Sequence, residues 1–218
     1  GIEKYLQEWT EGQVFPVVLG GEHGSLPAIM RALSKHPTLA GDLSRLTVVQ
    51  IDAHADLRDE LDGDNYSHAC AARRALDEGV GNLLQIGVRA YSREEEEFID
   101  SDERVSTWFA RDFLAPSGGE EGWKNLLEEV SALTGPVWLT FDIDGLDGSL
   151  VPHTGTPVPG GLAHWQAVEV IETLFASQHT EVIGADIAEI VAGNDSNLTQ
   201  FTAAMIATKI VAAHIATL

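Results

Sequence analysis

Short runs of apolar, β-branched residues alternate along the chain with longer stretches in which apolar positions recur every three or four residues. The first kind reads as buried strand and the second as amphipathic helix. Strands are predicted at Phe15–Gly20, Leu46–Asp52, Leu83–Val88, Val105–Phe109, Val137–Asp142 and Val182–Ile187. Helices are predicted at Ser25–Lys35, Tyr66–Glu78, Arg93–Ile99, Glu121–Leu133, Ala163–Ala176 and Leu198–Ala216. This βα rhythm predicts an α/β fold, a mostly parallel sheet covered by helices on both faces. No repeat or Pro/Ser-rich linker interrupts it, so residues 1–218 are read as a single domain, large enough to bury a core without disulfides.

Charge and composition narrow the partners. Asp plus Glu number 34 against 13 Lys plus Arg, a formal net charge of −21. Phosphate binding needs a basic footprint, so nucleic acid is not expected as a partner. A negative field draws in metal cations and cationic small molecules, and it also serves solubility. The single cysteine, Cys70, cannot form an internal bridge, and no segment reads as a signal peptide, so a cytoplasmic location is expected. Apolar stretches such as Ile206 to Ala213 are bounded or broken by Lys209 and His214 and fall short of the roughly 20 residues of a membrane span, so no membrane partner is expected.

Three predicted strands end in residues that a core would not choose. Phe15–Gly20 runs into Gly21-Glu22-His23, Leu46–Ile51 into Asp52-Ala53-His54-Ala55-Asp56, and Val137–Phe141 into Asp142-Ile143-Asp144. In open α/β sheets, ligands bind outside the carboxyl ends of the strands, which is where these clusters fall. A lone Asp-x-His or Asp-x-Asp is usually a turn or a helix cap. Together, four carboxylates and two imidazoles make a ligand set suited to Mn²⁺, with Zn, Fe or Ni as alternatives. Six ligands exceed what one ion needs when a water is also held, so two ions sharing carboxylates is the economical reading. Packed together without cations, the same groups would cost several kcal/mol, at least about 2, in repulsion and desolvation.

The segments Gly20-Gly21-Glu22-His23, Asp52-Ala53-His54-Ala55-Asp56, Phe141-Asp142-Ile143-Asp144 and Thr154-Gly155-Thr156-Pro157-Val158-Pro159-Gly160-Gly161 resemble, in order and spacing, the signature segments of the ureohydrolases, the arginase and agmatinase family. The resemblance implies a three-layer αβα sandwich and two Mn²⁺ ions. His23, Asp52, Asp56 and Asp142 would hold one ion, and Asp52, His54, Asp142 and Asp144 the other, with Asp52 and Asp142 bridging. It also implies a homo-oligomer, trimer or hexamer. By the same resemblance, His68 in Tyr66-Ser67-His68-Ala69 would shuttle protons near the leaving amine, Glu189 would grip a guanidinium, and Thr156 would add a hydroxyl contact. Such a metal pair makes hydroxide available at neutral pH, and Asp56 would take its proton and pass it on, releasing urea and an amine.

The loop Leu57 to Tyr66 carries four acids and one Arg, a poor nest for a substrate carboxylate, so the reading leans to the agmatinase branch with a small cationic guanidino substrate. Several positions depart from the family pattern: Gly24 stands where a serine is usual, Asp147-Gly148 replaces Asp-Pro, and His153 precedes Thr154, where it is expected to approach the pocket or supply another ligand. The family carries a further strand and helices before Gly-Gly-Glu-His, whereas only 19 residues precede Gly20 here. The domain is therefore read as N-terminally short, and an uncovered sheet edge is expected to find a partner. Two other readings stand beside this one. The same chemistry can serve guanidinobutyrate, guanidinopropionate, arginine, or a formimino or acetyl amide such as formiminoglutamate, although no His-His segment of a deacetylase occurs. A non-catalytic relative acting as a binding or assembly subunit is the second.

Overall fold

Strands buried along their whole length need cover on both faces of the sheet, and all five residues of Thr47–Ile51 are buried. In the computed structural model, which describes residues 1–10, 14–116, 119–193 and 195–218, such segments form the middle of one sheet. Its strands are β1 (Val17–Leu19), β2 (Thr47–Ile51), β3 (Asn82–Val88), β4 (Val105–Phe109), β5 (Gly135–Asp142) and β6 (Thr180–Ala188). They pair in the order β1-β6-β5-β2-β3-β4, every pairing parallel. All six predicted strands are present, β1 shorter than expected and the others within a few residues.

Helices α1 (Ile2–Thr10), α2 (Leu26–Leu33), α3 (Ala71–Asp77) and α4 (Arg93–Ser101) carry the apolar residues of one core, which includes Leu6, Leu26, Met30, Ala72, Leu76 and Trp138. Helices α5 (Ala110–Phe113), α6 (Gly119–Ala132), α7 (His164–Ala176) and α8 (Leu198–Ile215) build the other, around Phe113, Leu126, Val170, Leu174, Ile206 and Ile210. The result is three layers, helices on both faces of the sheet. The α1 helix escaped prediction, although Ile2, Tyr5, Leu6 and Trp9 follow helical spacing. The helix predicted from Tyr66 starts later: His68–Cys70 form a 3₁₀ turn and α3 begins at Ala71. By length and composition alone α8 could cross a bilayer, unlike the shorter apolar runs read from the sequence; in this fold it places Ala203, Ile206 and Ile210 in the core.

Strand order sets the position of the site. The chain lays down β2, β3 and β4 in one direction and then returns to place β5 on the other side of β2. Between β2 and β5 lies the switch point, where crevices open at the carboxyl ends of strands. At the far edge, β1 leaves Leu19 exposed beside the exposed Ile2, Tyr5 and Trp9 of α1.

Close approach of β6 to β5 depends on Gly184. A Cβ there would strike the Trp138 ring and come within 2.9 Å of Pro16 Cγ. Gly184→Ala is therefore expected to cost about 1–3 kcal/mol through overpacking, read as a lower urea midpoint with an unchanged slope. An unaltered midpoint would show that Trp138 can move aside freely.

Candidate metal centre

Register brings the predicted ligands together. Ile51 pairs with Phe141, so Asp52 and Asp142 leave neighbouring strands side by side. His23 reaches them from the 3₁₀ turn His23–Ser25 after β1. Its Nδ1 lies 2.9 Å from Asp56 Oδ2, 3.2 Å from Asp52 Oδ2 and 3.4 Å from Asp142 Oδ2. His54 Nδ1 lies 3.1 Å from Asp144 Oδ2 and 3.6 Å from Asp52 Oδ1. Two groups able to hold an ion emerge, His23-Asp52-Asp142 and Asp52-His54-Asp144. Asp52 spans both, one carboxylate oxygen toward each histidine. Asp142 faces the His23 group through Oδ2, while its Oδ1 accepts the Asp144 amide at 2.9 Å. Asp52 belongs to both groups, and Asp142, which the resemblance implies as a second shared carboxylate, belongs to the His23 group through Oδ2.

Hydrogen bonding fixes which nitrogen of His23 faces the cluster. Trp138 Nε1 donates to Asp186 Oδ1 at 2.5 Å, and Thr140 Oγ1 donates to Asp186 Oδ2 at 2.8 Å. The one hydroxyl hydrogen of Thr140 is then spent, so the 2.9 Å contact with His23 must be Nε2–H donating to Thr140 Oγ1. Nδ1 is left as a buried lone pair with no hydrogen-bond partner, although three carboxylate oxygens surround it. Lone pair against carboxylate is repulsive; a cation between them resolves it. The donor set, mixed imidazole and carboxylate, fits a divalent transition ion.

Titration reflects the same crowding. Burial and the Asp52 charge raise the Asp56 carboxyl to about 7, against the pull of His23. Burial, Asp52 and Asp144 likewise push Asp142 well above the carboxylate range. Burial alone would lower both histidines, but their carboxylate neighbours outweigh it: His23 is raised by Asp142, Asp52 and Asp56, and His54 is raised to about 11 by Asp144 and Asp52.

A cavity of about 420 Å³ opens over the cluster, lined among others by His54, Asp56, Arg58, His68, Tyr91 and Thr156. His68 sits at the helix entry with its backbone N–H on Glu22 Oε1 at 3.1 Å. Thr156, expected at the substrate, gives its hydroxyl hydrogen to Asp144 Oδ2 at 3.1 Å. Glu189 lies outside that lining; Oε1 accepts the His23 amide at 2.8 Å, and a Cβ on Gly155 would meet Oε2 at 3.4 Å. His153 is neither a ligand nor a cavity residue. Its Nε2 pairs with Asp195 at 3.0 Å and its ring packs over Gly193, which turns it away from the cluster. The acids of the 57–66 loop also lie outside the cavity lining, Asp59 being paired with Arg74 at 2.8 Å.

Two residues in this set hold left-handed backbone, Asp56 at φ +54° and Glu189 at φ +58°. Such a conformation costs a non-glycine residue about 1–3 kcal/mol and persists only where its surroundings enforce it. For Asp56 the restraint comes from Glu95, whose Oε1 accepts the Leu57 amide at 3.1 Å while Oε2 caps its own helix. For Glu189 it comes from its amide, bonded to Gly21 O at 2.5 Å.

Sequence reasoning passed over Arg89, Glu95 and Gly145. The Arg89 guanidinium donates to the carbonyls of Asp144, Leu146 and Val158 at 2.7–3.1 Å, pinning the β5 exit to the 154–161 loop. Burial pulls its pKa down and the nearby Asp144 and Asp52 charges push back. A Cβ on Gly145 would lie 2.8 Å from the Asp52 nitrogen. Arg89 follows a strand directly, and Glu95, though one of four consecutive glutamates, stands three residues after Ser92 in a capping-box pattern; these are the hints in the sequence.

Because His54 is raised to about 11 and Asp56 to about 7 by their neighbours and burial, loading with Mn²⁺ is expected to release protons and to tighten as pH rises. Calorimetry in buffers of differing ionisation enthalpy measures this. Affinity that stays flat between pH 6 and 8 would rule out the histidines as ligands.

Comparison with known proteins agrees with this geometry. The model of the arginase family matches residues 1–213. The N(1)-aminopropylagmatine ureohydrolase of Synechocystis is 34% identical over 206 residues, covering 94% of this chain and 62% of that protein. An agmatinase of Pyrococcus horikoshii is 35% identical over 192 residues, covering 88% and 60%. The crystal structure of the agmatine ureohydrolase of Thermoplasma volcanium superposes with a TM-score of 0.80 at 32% identity, covering 98% of this chain and 67% of that one. The chain spans about 60% of the length of these two curated relatives. With its parallel sheet, its layered helices and its paired His/Asp groups at the β2–β5 switch point, the chain belongs to the arginase family.

Proposed function

We propose that this chain carries the centre of a binuclear manganese hydrolase that splits a guanidino compound into urea and an amine, with agmatine, giving putrescine, as the leading substrate. The observation that carries this reading is the pair of ligand groups joined through Asp52 beneath a cavity that His68 also lines. Agmatine is favoured because relatives of similar identity are named agmatinase and aminopropylagmatine ureohydrolase, and a net charge of −21 favours a cationic ligand. The same reading carries a cytoplasmic homo-oligomer, trimer or hexamer, with no nucleic-acid or membrane partner.

Bound Mn²⁺ supplies the acidity that makes water a nucleophile at neutral pH. His23, Asp52, Asp56 and Asp142 would hold one ion, and Asp52, His54, Asp142 and Asp144 the other. Addition of water to the guanidinium carbon, followed by cleavage of the bond to the substituted nitrogen, gives urea and an alkylammonium ion with charge conserved. Asp56 belongs to both the ligand cluster and the cavity wall, so a proton taken there can be passed to the departing amine. His68, partly exposed and lining the cavity, is placed to shuttle a proton near the leaving amine. Glu189, anchored through one oxygen, presents the other to the fork of guanidinium N–H donors. Thr156, whose hydroxyl also donates to Asp144 Oδ2, lines the cavity and adds a contact to the substrate there.

Urea release in parallel from agmatine, arginine, guanidinobutyrate, guanidinopropionate and guanidine with added Mn²⁺ tests the reading. Agmatine is expected to turn over fastest; two bound ions with no urea from any of the five would favour a binding subunit. Asp52→Ala is expected to lose both ions and all urea release, measured by metal analysis and assay. His68→Ala is expected to keep both ions and to lower kcat by about 10²-fold or more. A His68→Ala variant with the wild-type kcat would remove that residue from the mechanism.

A further inference from the structure

One step below the metal ligands, five adjacent strands carry polar side chains at a single level. Thr107 of β4 pairs in register with Gln85 of β3, Gln85 with Gln50 of β2, Gln50 with Thr140 of β5, and Thr140 with Asp186 of β6. Side chains alternate faces along a strand, so Gln50 shares a face with Asp52, and Thr140 with Asp142. One step farther from the ligands, the same face turns apolar: Val105, Leu83, Val48 and Trp138 stand in matching register. The polar row is thus confined to the level that touches the ligands.

From Thr140 and Asp186 the row runs to His23, as described above. Its other half runs to Asp52. Thr107 Oγ1 donates to Gln85 Oε1 at 2.8 Å, Gln85 Nε2 to Gln50 Oε1 at 2.8 Å, and Gln50 Nε2 to Asp52 Oδ2 at 2.8 Å. Every direction is set by groups that can only accept. Asp52 requires the amide NH₂ of Gln50, and the Ala55 carbonyl, 2.6 Å from Gln85 Nε2, requires the NH₂ of Gln85. Gln85 Oε1 is then left to receive the Thr107 hydroxyl. Both glutamines are fully buried. Replacing such a pair by apolar groups of similar shape can be close to neutral for stability, so burial alone gives no reason to place amides here.

We propose that this register-matched row is a positioning layer for the metal centre. Its His23 arm leaves Nδ1 free to ligate; its Thr107-Gln85-Gln50 arm is a polarised chain that holds the Asp52 carboxylate so that Oδ2 faces the His23 group and Oδ1 the His54 group. Thr107, Gln85 and Gln50 are positioning residues that act through Asp52. The inference rests on the metal-centre reading and not on which substrate is cleaved.

Titration of the purified full chain with Mn²⁺, followed by calorimetry, tests it without reference to activity. Thr107→Val keeps the shape and removes the donor; Thr107→Ser keeps the hydroxyl; Gln85→Met breaks the chain in its middle. Loss of a ligand's direct partner weakens metal binding about 10–100-fold; Gln85→Met, which unties Gln50 from beneath while Gln50 still reaches Asp52, is expected to weaken Mn²⁺ binding several-fold to about 10-fold, and Thr107→Val by a smaller factor. Both ions are expected to weaken together, because Asp52 serves both. Thr107→Ser is expected to bind as wild type does, which a merely structural role for the methyl-bearing side chain would not produce; Thr107→Val, which leaves the buried Gln85 Oε1 without its donor, is expected to lower the metal-free urea midpoint modestly while the chain stays folded under the conditions of the titration. Two ions on the wild-type chain with unchanged affinity in Thr107→Val and Gln85→Met would overturn the positioning layer alone, as would a Thr107→Ser variant as weak as Thr107→Val. A wild-type chain that binds no Mn²⁺ would overturn the metal centre and the layer together.

Discussion

Four carboxylates brought within a few ångströms of one another at the β2–β5 switch point must be neutralised, and the rest of the structure is arranged around that demand. Part of the compensation is local. The amides of Ala53, His54 and Asp144 donate to Asp144, Asp52 and Asp142, respectively. More comes from Arg89, which lies under the cluster, bonds to carbonyls and leaves its charge to act on the carboxylates around it. The remainder falls to protons or to cations. Protons satisfy it only by lifting Asp56, Asp142, His23 and His54 far from their ordinary ranges. Divalent ions satisfy it with the same lone pairs and no such distortion.

That demand accounts for the strain nearby. Asp56 and Glu189 both hold left-handed backbone, and each is locked there by a bond to a separate segment, Glu95 on α4 and Gly21 after β1. Strain of this kind is retained when the element that enforces it is rigid, and a parallel sheet covered on both faces is rigid. The polar row below the ligands belongs to the same logic. A carboxylate free to rotate would lose the orientation that lets Asp52 serve two groups, so one of its oxygens is tethered from beneath.

Away from the centre the chain is less constrained. The β1 edge leaves Leu19 exposed with the apolar face of α1 beside it, and α8 turns Phe201, Met205 and Ile215 outward. The cavity above the metal centre is walled by Arg58, Tyr91 and His68 but by none of the loop acids 59, 60, 62 and 64.

By itself the sequence determined the strand periods, the alternation of strands and helices, and the six polar residues at three strand ends. Those features are local, since a strand, its side-chain parity and the residue that follows it lie within a few positions of one another. Even the positioning layer had a trace there: Gln50 and Thr140 each stand two residues before a ligand in an otherwise apolar run. What only the tertiary structure decided was which groups meet. Nothing local turns His153 toward Asp195 and away from the cluster, sets Gln85 beside Gln50, or brings Glu95, which the Ser92-x-x-Glu95 capping pattern does single out, against the Leu57 amide. Those outcomes depend on strand order and register, which bring residues 30 to 160 positions apart into contact, and no pattern within a short window of the chain encodes that distance.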